Sequence, residues 1–114
     1  MVTPSVGAVV LVPFPFSDLS QAKLRPAVVL AYVGKNNWIL CQITSKPYAD
    51  PKAITITNNS FANGSLQVTS YTRPGKLFTS NSSLMVKQAG CLKKELLKII
   101  IETIVAIFHS GIET

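Results

Sequence analysis

Short β-branched runs bounded by turn-forming residues make up most of the chain, and they restrict it to a mainly β fold. Residues 8–12 follow Gly7 and end at a Pro-Phe-Pro-Phe segment, which predicts a first strand and then an irregular loop that lasts until Arg25. Residues 26–33 and 38–44 are apolar runs on either side of a polar, glycine-containing tip. They predict a hairpin of two buried strands.

The middle of the chain alternates apolar and polar side chains with the period of half-exposed strands. Residues 54–56 and 66–68 both show this alternation, and residues 58–65 supply turn-forming side chains between them. We therefore expect a second hairpin here. Residues 76–78 and 83–86 are further strand candidates on either side of a polar turn. Several short strands at close spacing predict a barrel or paired sheets.

The last part of the chain has a helical period. Apolar residues recur at spacings of three and four between Leu96 and Phe108, with charged residues between them, which predicts an amphipathic helix ending near Gly111. The apolar residues expected on its buried face are Leu96, Leu97, Ile100, Ile101, Ile104, Ile107 and Phe108. The chain has 114 residues, so we expect residues 1–114 to form a single domain that is mainly β with a C-terminal helix.

The charge of the chain favours a polyanionic partner. It has 11 Lys plus Arg against 5 Asp plus Glu, a net charge of +6, which favours nucleic acid ahead of an acidic protein segment or a membrane surface. Cys41 and Cys91 lie in apolar stretches and make no disulfide framework, so we expect a reduced, cytoplasmic location. The apolar run that ends at Phe108 is too short for a membrane span, and no signal peptide is predicted.

The few acidic residues argue against several kinds of enzyme. Only Asp18 and Asp50 lie outside the predicted helix and the tail, whereas metal nucleases need several oxygen ligands and glycosidases need a carboxylate pair. The single histidine, His109, lies at the helix end, where a cation would complement the helix dipole. We therefore predict no metal and no cofactor. RNA cleavage by attack of the substrate's own 2′-hydroxyl is still compatible with this composition, because protein cations and hydroxyls alone could assist that reaction.

Several segments, taken in order, carry a resemblance to a known family. Residues 7–18 (GAVVLVPFPFSD) precede residues 25–30 (RPAVVL), and these are followed by residues 43–45 (ITS), 70–74 (SYTRP) and 76–79 (KLFT). With the closing helix, this order and spacing resemble the MazF/PemK-like toxins over nearly the whole chain.

The resemblance has implications for fold, activity and partners. It implies an SH3-like barrel with a C-terminal helix, a fold shared with CcdB-like toxins. It implies a homodimer with a basic groove that cleaves single-stranded RNA sequence-specifically and without a metal, giving a 2′,3′-cyclic phosphate and a 5′-hydroxyl. It also implies a cognate antitoxin protein whose acidic, flexible segment occupies the groove.

Arg25 and Thr44 are the catalytic residues that the resemblance implies. Arg25 would bind the phosphate and donate a proton, and Thr44 would hydrogen-bond the phosphate. Pro26 restricts the backbone of Arg25 to extended conformations, and arginine can bind phosphate through two hydrogen bonds. Without the resemblance, a surface ion pair at Arg25 and a plain strand end at Thr44 are the simpler interpretation.

Further residues are predicted to line the same groove and bind RNA. They are Phe16, Ser17, Lys23, Ser45, Lys46 and Arg73. Phe16 is the one aromatic residue for which we predict base stacking, because of its place in the loop. The chain departs from the family at Ala8, where many relatives have an aspartate, and at Ser20, where some have a glutamate. A missing carboxylate removes a general base or a loop anchor.

Two other functions are compatible with the sequence. One is a CcdB-like toxin that binds DNA gyrase, although residues 109–114 lack an aromatic anchor. The other is a non-catalytic barrel that binds nucleic acid with a steep salt dependence and leaves it intact.

Overall fold

The chain folds into one antiparallel sheet followed by a long helix. The computed structural model describes residues 2–14 and 23–113. Its strands are β1 (Ala8–Pro13), β2 (Leu24–Gly34), β3 (Asn37–Thr44), β4 (Ile54–Ile56), β5 (Phe61–Gly64), β6 (Ser70–Asn81) and β7 (Lys87–Leu92), and the helix is α1 (Lys94–Ile112). The strands form a half-barrel in the order β4-β6-β3-β2-β1-β7-β5. The predicted mainly β class with a C-terminal helix is confirmed.

The first predicted hairpin is present as β2 and β3. Val28 pairs with Cys41 along it. At its tip Lys35 and Asn36 have φ angles of 53° and 62°, a left-handed conformation that suits a tight two-residue turn. β2 begins earlier than predicted, because its first residues also pair with β1. Arg25 therefore lies within a strand rather than at the end of the loop.

The second predicted hairpin is wrong. Residues 54–56 form β4, but β4 pairs with β6 and not with residues 66–68, which form no strand. Residues 61–64, which we expected to be a turn, form β5 and pair with β7. A period of two shows that a segment is extended and half-buried, but it does not identify the partner strand.

The region after residue 70 also differs from the prediction. The strand predicted at residues 76–78 is present inside β6, which continues through most of the predicted turn. Residues 83–86 do not form a strand. Ser82–Leu84 form a 3₁₀ turn, in which the Ser83 amide donates a 3.0 Å hydrogen bond to the side chain of Asn81.

Apolar clusters cover both faces of the sheet. Successive residues of a strand point to opposite faces, so Val9 belongs to the cluster that contains Ile100 and Ile104 of α1, whereas Val10 belongs to a second cluster with Leu40. The helix therefore packs on the Val9 face. Ile100 and Ile104 are its buried residues, and Leu96 and Leu97 pack partly buried against the same cluster, whereas Ile101 is exposed. Phe108 is also exposed, at 63%.

Two further features of the described residues concern the cysteines and the length of the helix. Cys41 and Cys91 are both free thiols. The part of the chain that the structure describes contains no helix that is both long and apolar enough to cross a membrane.

Candidate active site

An open cavity of about 310 Å³ lies where β2 begins and β3 ends. Leu11 of β1 and Pro26 of β2 are paired across the sheet and line its apolar side. Arg25, Thr44 and Ser45 line it as well. The two predicted catalytic residues and one predicted RNA-binding residue thus border the same space.

The register of the sheet explains why Arg25 and Thr44 meet. In the β2–β3 ladder, Val28 is opposite Cys41 and Ala27 is opposite Gln42. Extending this register by two residues would set Arg25 opposite Thr44. The end of the hairpin therefore contributes one residue from each of its strands to the lining of the cavity.

The hydroxyl of Thr44 is held in place by its surroundings. Thr44 is 6% exposed and pairs with Tyr71 of β6. Its Oγ1 accepts a 3.2 Å hydrogen bond from the backbone amide of Lys46. Because a hydroxyl both accepts and donates, the Thr44 proton can still be directed at a bound ligand.

The segment just before β6 forms the other wall of the cavity. Leu66, Val68 and Ser70 line it, and the Ser70 hydroxyl donates a 3.2 Å hydrogen bond to the Val68 carbonyl. Val68 is 60% exposed and presents apolar surface at the rim. Sequence reasoning missed this wall, because it assigned residues 66–68 to a strand.

Arg73 is engaged away from this cavity. Its Nε donates a 3.2 Å hydrogen bond to Oδ2 of Asp50, and its guanidinium lies 5.3 Å from the centre of the Tyr48 ring. The other oxygen of Asp50 accepts a 2.9 Å hydrogen bond from the Lys52 amide. Arg73 does not line the cavity of Arg25 and Thr44, so its contact with RNA stays a prediction.

Asp50 also influences the titration of its neighbourhood. The hydrogen bond from the Lys52 amide and the contact with Arg73 lower the pKa of Asp50, and its partial burial opposes them. Burial raises the pKa of the Cys41 thiol to about 12, and the negative charge of Asp50 adds to this effect. The neutral thiol of Cys41 donates a 3.1 Å hydrogen bond to the Arg73 carbonyl. We conclude that Cys41 has a structural role.

Two of the other predicted RNA-binding residues are lysines at the surface. Lys23 and Lys46 are exposed, and each lies two positions from one of the catalytic candidates. Phe16 and Ser17, predicted to bind RNA from the loop, lie outside the described residues.

One position that departs from the family pattern lies in the core. Ala8 is completely buried in the second core cluster, and Ser20 is outside the described residues. Within residues 2–14 and 23–113, no three His, Cys, Asp or Glu side chains come together as a metal site would require.

Comparison with known proteins identifies a family. The family described as PemK-like, MazF-like toxin of type II toxin–antitoxin system matches residues 5–108. Among curated proteins, no sequence matches the chain significantly.

Solved structures show the same fold. MazF from Deinococcus radiodurans has a TM-score of 0.74 at 18% identity, covering 96% of this chain and 99% of that one. A MazE–MazF structure from the same organism has a TM-score of 0.74 at 17% identity, covering 93% and 96%. An endoribonuclease in complex with its cognate antitoxin, from a mycobacterial species, has a TM-score of 0.70 at 11% identity, covering 96% of both chains. These matches confirm the predicted fold class.

Proposed function

The chain belongs to the PemK-like, MazF-like toxins of type II toxin–antitoxin systems, and from this membership we propose that it is an endoribonuclease that cuts single-stranded RNA. The observation that carries the proposal is the cavity shared by Arg25 and Thr44. A positive charge and an anchored hydroxyl that line one cavity suit a phosphate whose charge must be stabilised during reaction.

The proposed reaction uses a nucleophile from the substrate. The 2′-oxygen of one nucleotide forms a bond to the adjacent phosphorus, and its proton passes to solvent. The bond from phosphorus to the 5′-oxygen breaks, and that oxygen takes up a proton. The products are a 2′,3′-cyclic phosphate and a 5′-hydroxyl.

Arg25 and Thr44 have separate roles in this step. Arg25 binds the phosphate and donates the proton to the leaving oxygen. Since arginine keeps its charge at neutral pH, charge stabilisation is its larger contribution. Thr44 donates its hydroxyl hydrogen to a phosphate oxygen and steadies the transition state.

We propose that the reaction needs no metal ion. The substrate supplies the nucleophile, and the protein only has to orient it and stabilise charge. Asp50, the described acidic residue nearest in sequence to Thr44 and Ser45, already accepts hydrogen bonds from Arg73 and Lys52.

The proposal extends to partners and location. One structure of similar fold is described as an endoribonuclease in complex with its cognate antitoxin. The net charge of +6 suits an acidic antitoxin segment. Ile101, Val105 and Phe108 expose apolar surface on α1 that a second copy of the chain would cover in a homodimer. The free cysteines fit a cytoplasmic location.

Cleavage of defined RNA tests the proposal. Purified protein is incubated with single-stranded RNA in EDTA, and the new ends are identified by mass spectrometry. We expect cuts at a preferred sequence, with a cyclic phosphate on one product and a 5′-hydroxyl on the other. Activity that EDTA abolishes contradicts the metal-free mechanism.

The same assay separates the alternative functions. RNA that is bound with a steep salt dependence and never cut supports a non-catalytic barrel. Intact RNA together with inhibition of DNA gyrase supports the CcdB-like alternative.

A further inference from the structure

A second cleft adjoins the cavity of Arg25 and Thr44. It has a volume of about 500 Å³, within the range of roughly 300–1,000 Å³ that small-molecule sites occupy. Both spaces are lined by Leu11 and Leu66, so they are neighbours that share a wall. Of these two spaces, the second alone is lined by Gln67, Lys87 and Gln88.

The sheet fixes how far apart the two spaces lie. Leu11 of β1 is paired with Pro26 of β2 on one side and with Lys87 of β7 on the other. Lys87 is therefore two strand spacings from Pro26, roughly 10 Å. A nucleotide that follows the reacting phosphate along an extended RNA strand can reach this distance.

The walls of the second cleft are joined by close backbone contacts. Gly64 of β5 is paired with Gly90 of β7, and a Cβ at Gly64 would lie 2.1 Å from the Ala89 carbonyl oxygen. Only glycine permits this approach. The Ser65 amide also donates a 3.3 Å hydrogen bond to the same Ala89 carbonyl. The walls of the cleft are thus held together by the backbone contacts of the fold.

Gln67 is held in an unusual conformation at the cleft. Its φ angle is 66°, in the left-handed region that few residues other than glycine adopt. Its backbone amide donates a 2.8 Å hydrogen bond to the Ser65 hydroxyl, which in turn donates to the side chain of Asn58. Backbone strain that the surroundings maintain is often found at ligand sites. Gln67 also borders a third cavity, lined by Asn58, Asn59 and Thr69.

The chemistry of the lining suits a nucleotide. Glutamine amides carry a donor and an acceptor, as the edges of the bases do. Leu11 and Leu66 offer an apolar surface to the face of a base, and Lys87 brings a positive charge for a phosphate. Resting on the ribonuclease function proposed above, we propose that this cleft binds the nucleotide next to the scissile phosphate and that Gln67 and Gln88 select its base.

Sequencing of cut sites tests the proposal. The wild-type protein and the Gln67→Ala and Gln88→Ala variants are given a single-stranded RNA library with randomised bases, and the cut ends are sequenced. We expect each glutamine variant to lose about tenfold discrimination at one position next to the cut, because a base contact through two hydrogen bonds contributes that much or more. Gln42→Ala is the matched control, since Gln42 of β3 lines neither cavity.

Lys87 should behave differently from the glutamines. Lys87→Ala is expected to raise KM and to lower the slope of binding against salt by about one, with unchanged base preference, because phosphate contacts position RNA without reading its sequence. Lys94→Ala, an exposed lysine at the start of α1, is the control.

The outcomes separate this proposal from the ribonuclease proposal. A wild-type protein that cuts with a base preference, together with glutamine variants that keep the same preference, overturns the assignment of the cleft and leaves the ribonuclease intact. If the wild type cuts nothing, the ribonuclease proposal fails. The cleft is then tested by fluorescence anisotropy with short RNAs that differ in one base, and equal discrimination by the wild type and both glutamine variants overturns it.

Discussion

Arg25 of β2 and Thr44 at the end of β3 border the same cavity, although neither residue belongs to a local motif with the other. The β2–β3 pairing ends at Ala27 and Gln42, two residues before this pair, so both residues lie at the same end of the hairpin. The candidate site therefore depends on a hairpin that is itself simple to form, with a tight tip and two apolar strands. Changes at the two residues should affect chemistry more than folding.

Thr44→Val should separate the hydroxyl from the shape of the side chain. We expect the single-turnover rate of RNA cleavage to fall about 100-fold, because the transition state loses one hydrogen-bond donor that stabilises its developing negative charge. The free energy of unfolding should fall by about 1 kcal/mol, because the Lys46 amide loses its hydrogen-bond acceptor. Thr44→Ser keeps the hydroxyl and should retain most of the activity. Equal losses in both variants would mean that the hydroxyl is not the active group.

The Asp50–Arg73 pair predicts a pH-dependent contribution to stability. The pKa of Asp50 is below its usual 3.8 in the folded protein, so its contribution is present above pH 3.8 and is lost as the pH falls through the folded-state pKa. Asp50→Asn should lower the free energy of unfolding by about 0.5–1 kcal/mol at pH 7, the range expected for a partly exposed ion pair. Urea unfolding of both proteins at pH 7 and at pH 2.5 measures this. If the two proteins differ in free energy of unfolding by the same amount at both pH values, the prediction is contradicted.

The two thiols should differ in reactivity. Cys41 is completely buried and its pKa is raised to about 12, so at pH 8 it is neutral and inaccessible. Cys91 is only partly buried. We expect a thiol reagent to label Cys91 first in the native protein and Cys41 only after unfolding, with peptide mass spectrometry identifying each site. Rapid labelling of Cys41 in folded protein would contradict its buried position.

Packing of the helix on the sheet can be tested with two adjacent isoleucines. Ile100 is completely buried among residues of the sheet, whereas Ile99 is 51% exposed. Ile100→Ala should lower the free energy of unfolding by about 3 kcal/mol, and Ile99→Ala should change it by less than about 0.5 kcal/mol. Chemical denaturation gives both values. Similar losses for the two variants would mean that the helix packs through another face.

Local patterns predicted some elements well and others poorly, for a physical reason. The β2–β3 hairpin and the helix depend on nearby residues, and both are present. The pairing of β4 with β6 and of β5 with β7 depends on distant parts of the chain, and the alternation at residues 54–56 and 66–68 contained no information about it.

The same distinction applies to the candidate site. Arg25 and Thr44 were identified because the order of several segments resembles a family, and the pairing of their strands then places them together. Gln67, Lys87 and Gln88 belong to no motif, and they meet only where the segment after β5 lies against β7. The sequence contains no local signal for such a cleft.

The most direct measurement is the rate of RNA cleavage, in EDTA, by the wild type and by Arg25→Ala, Arg25→Lys and Lys94→Ala. We expect Arg25→Ala to lose at least about 100-fold in rate without loss of folded structure. Arg25→Lys should recover only part of this rate, because lysine keeps the charge but cannot bind phosphate through a planar pair of donors. Lys94→Ala should match the wild type. Cleavage at the wild-type rate by folded Arg25→Ala would contradict the assignment of this cavity as the active site.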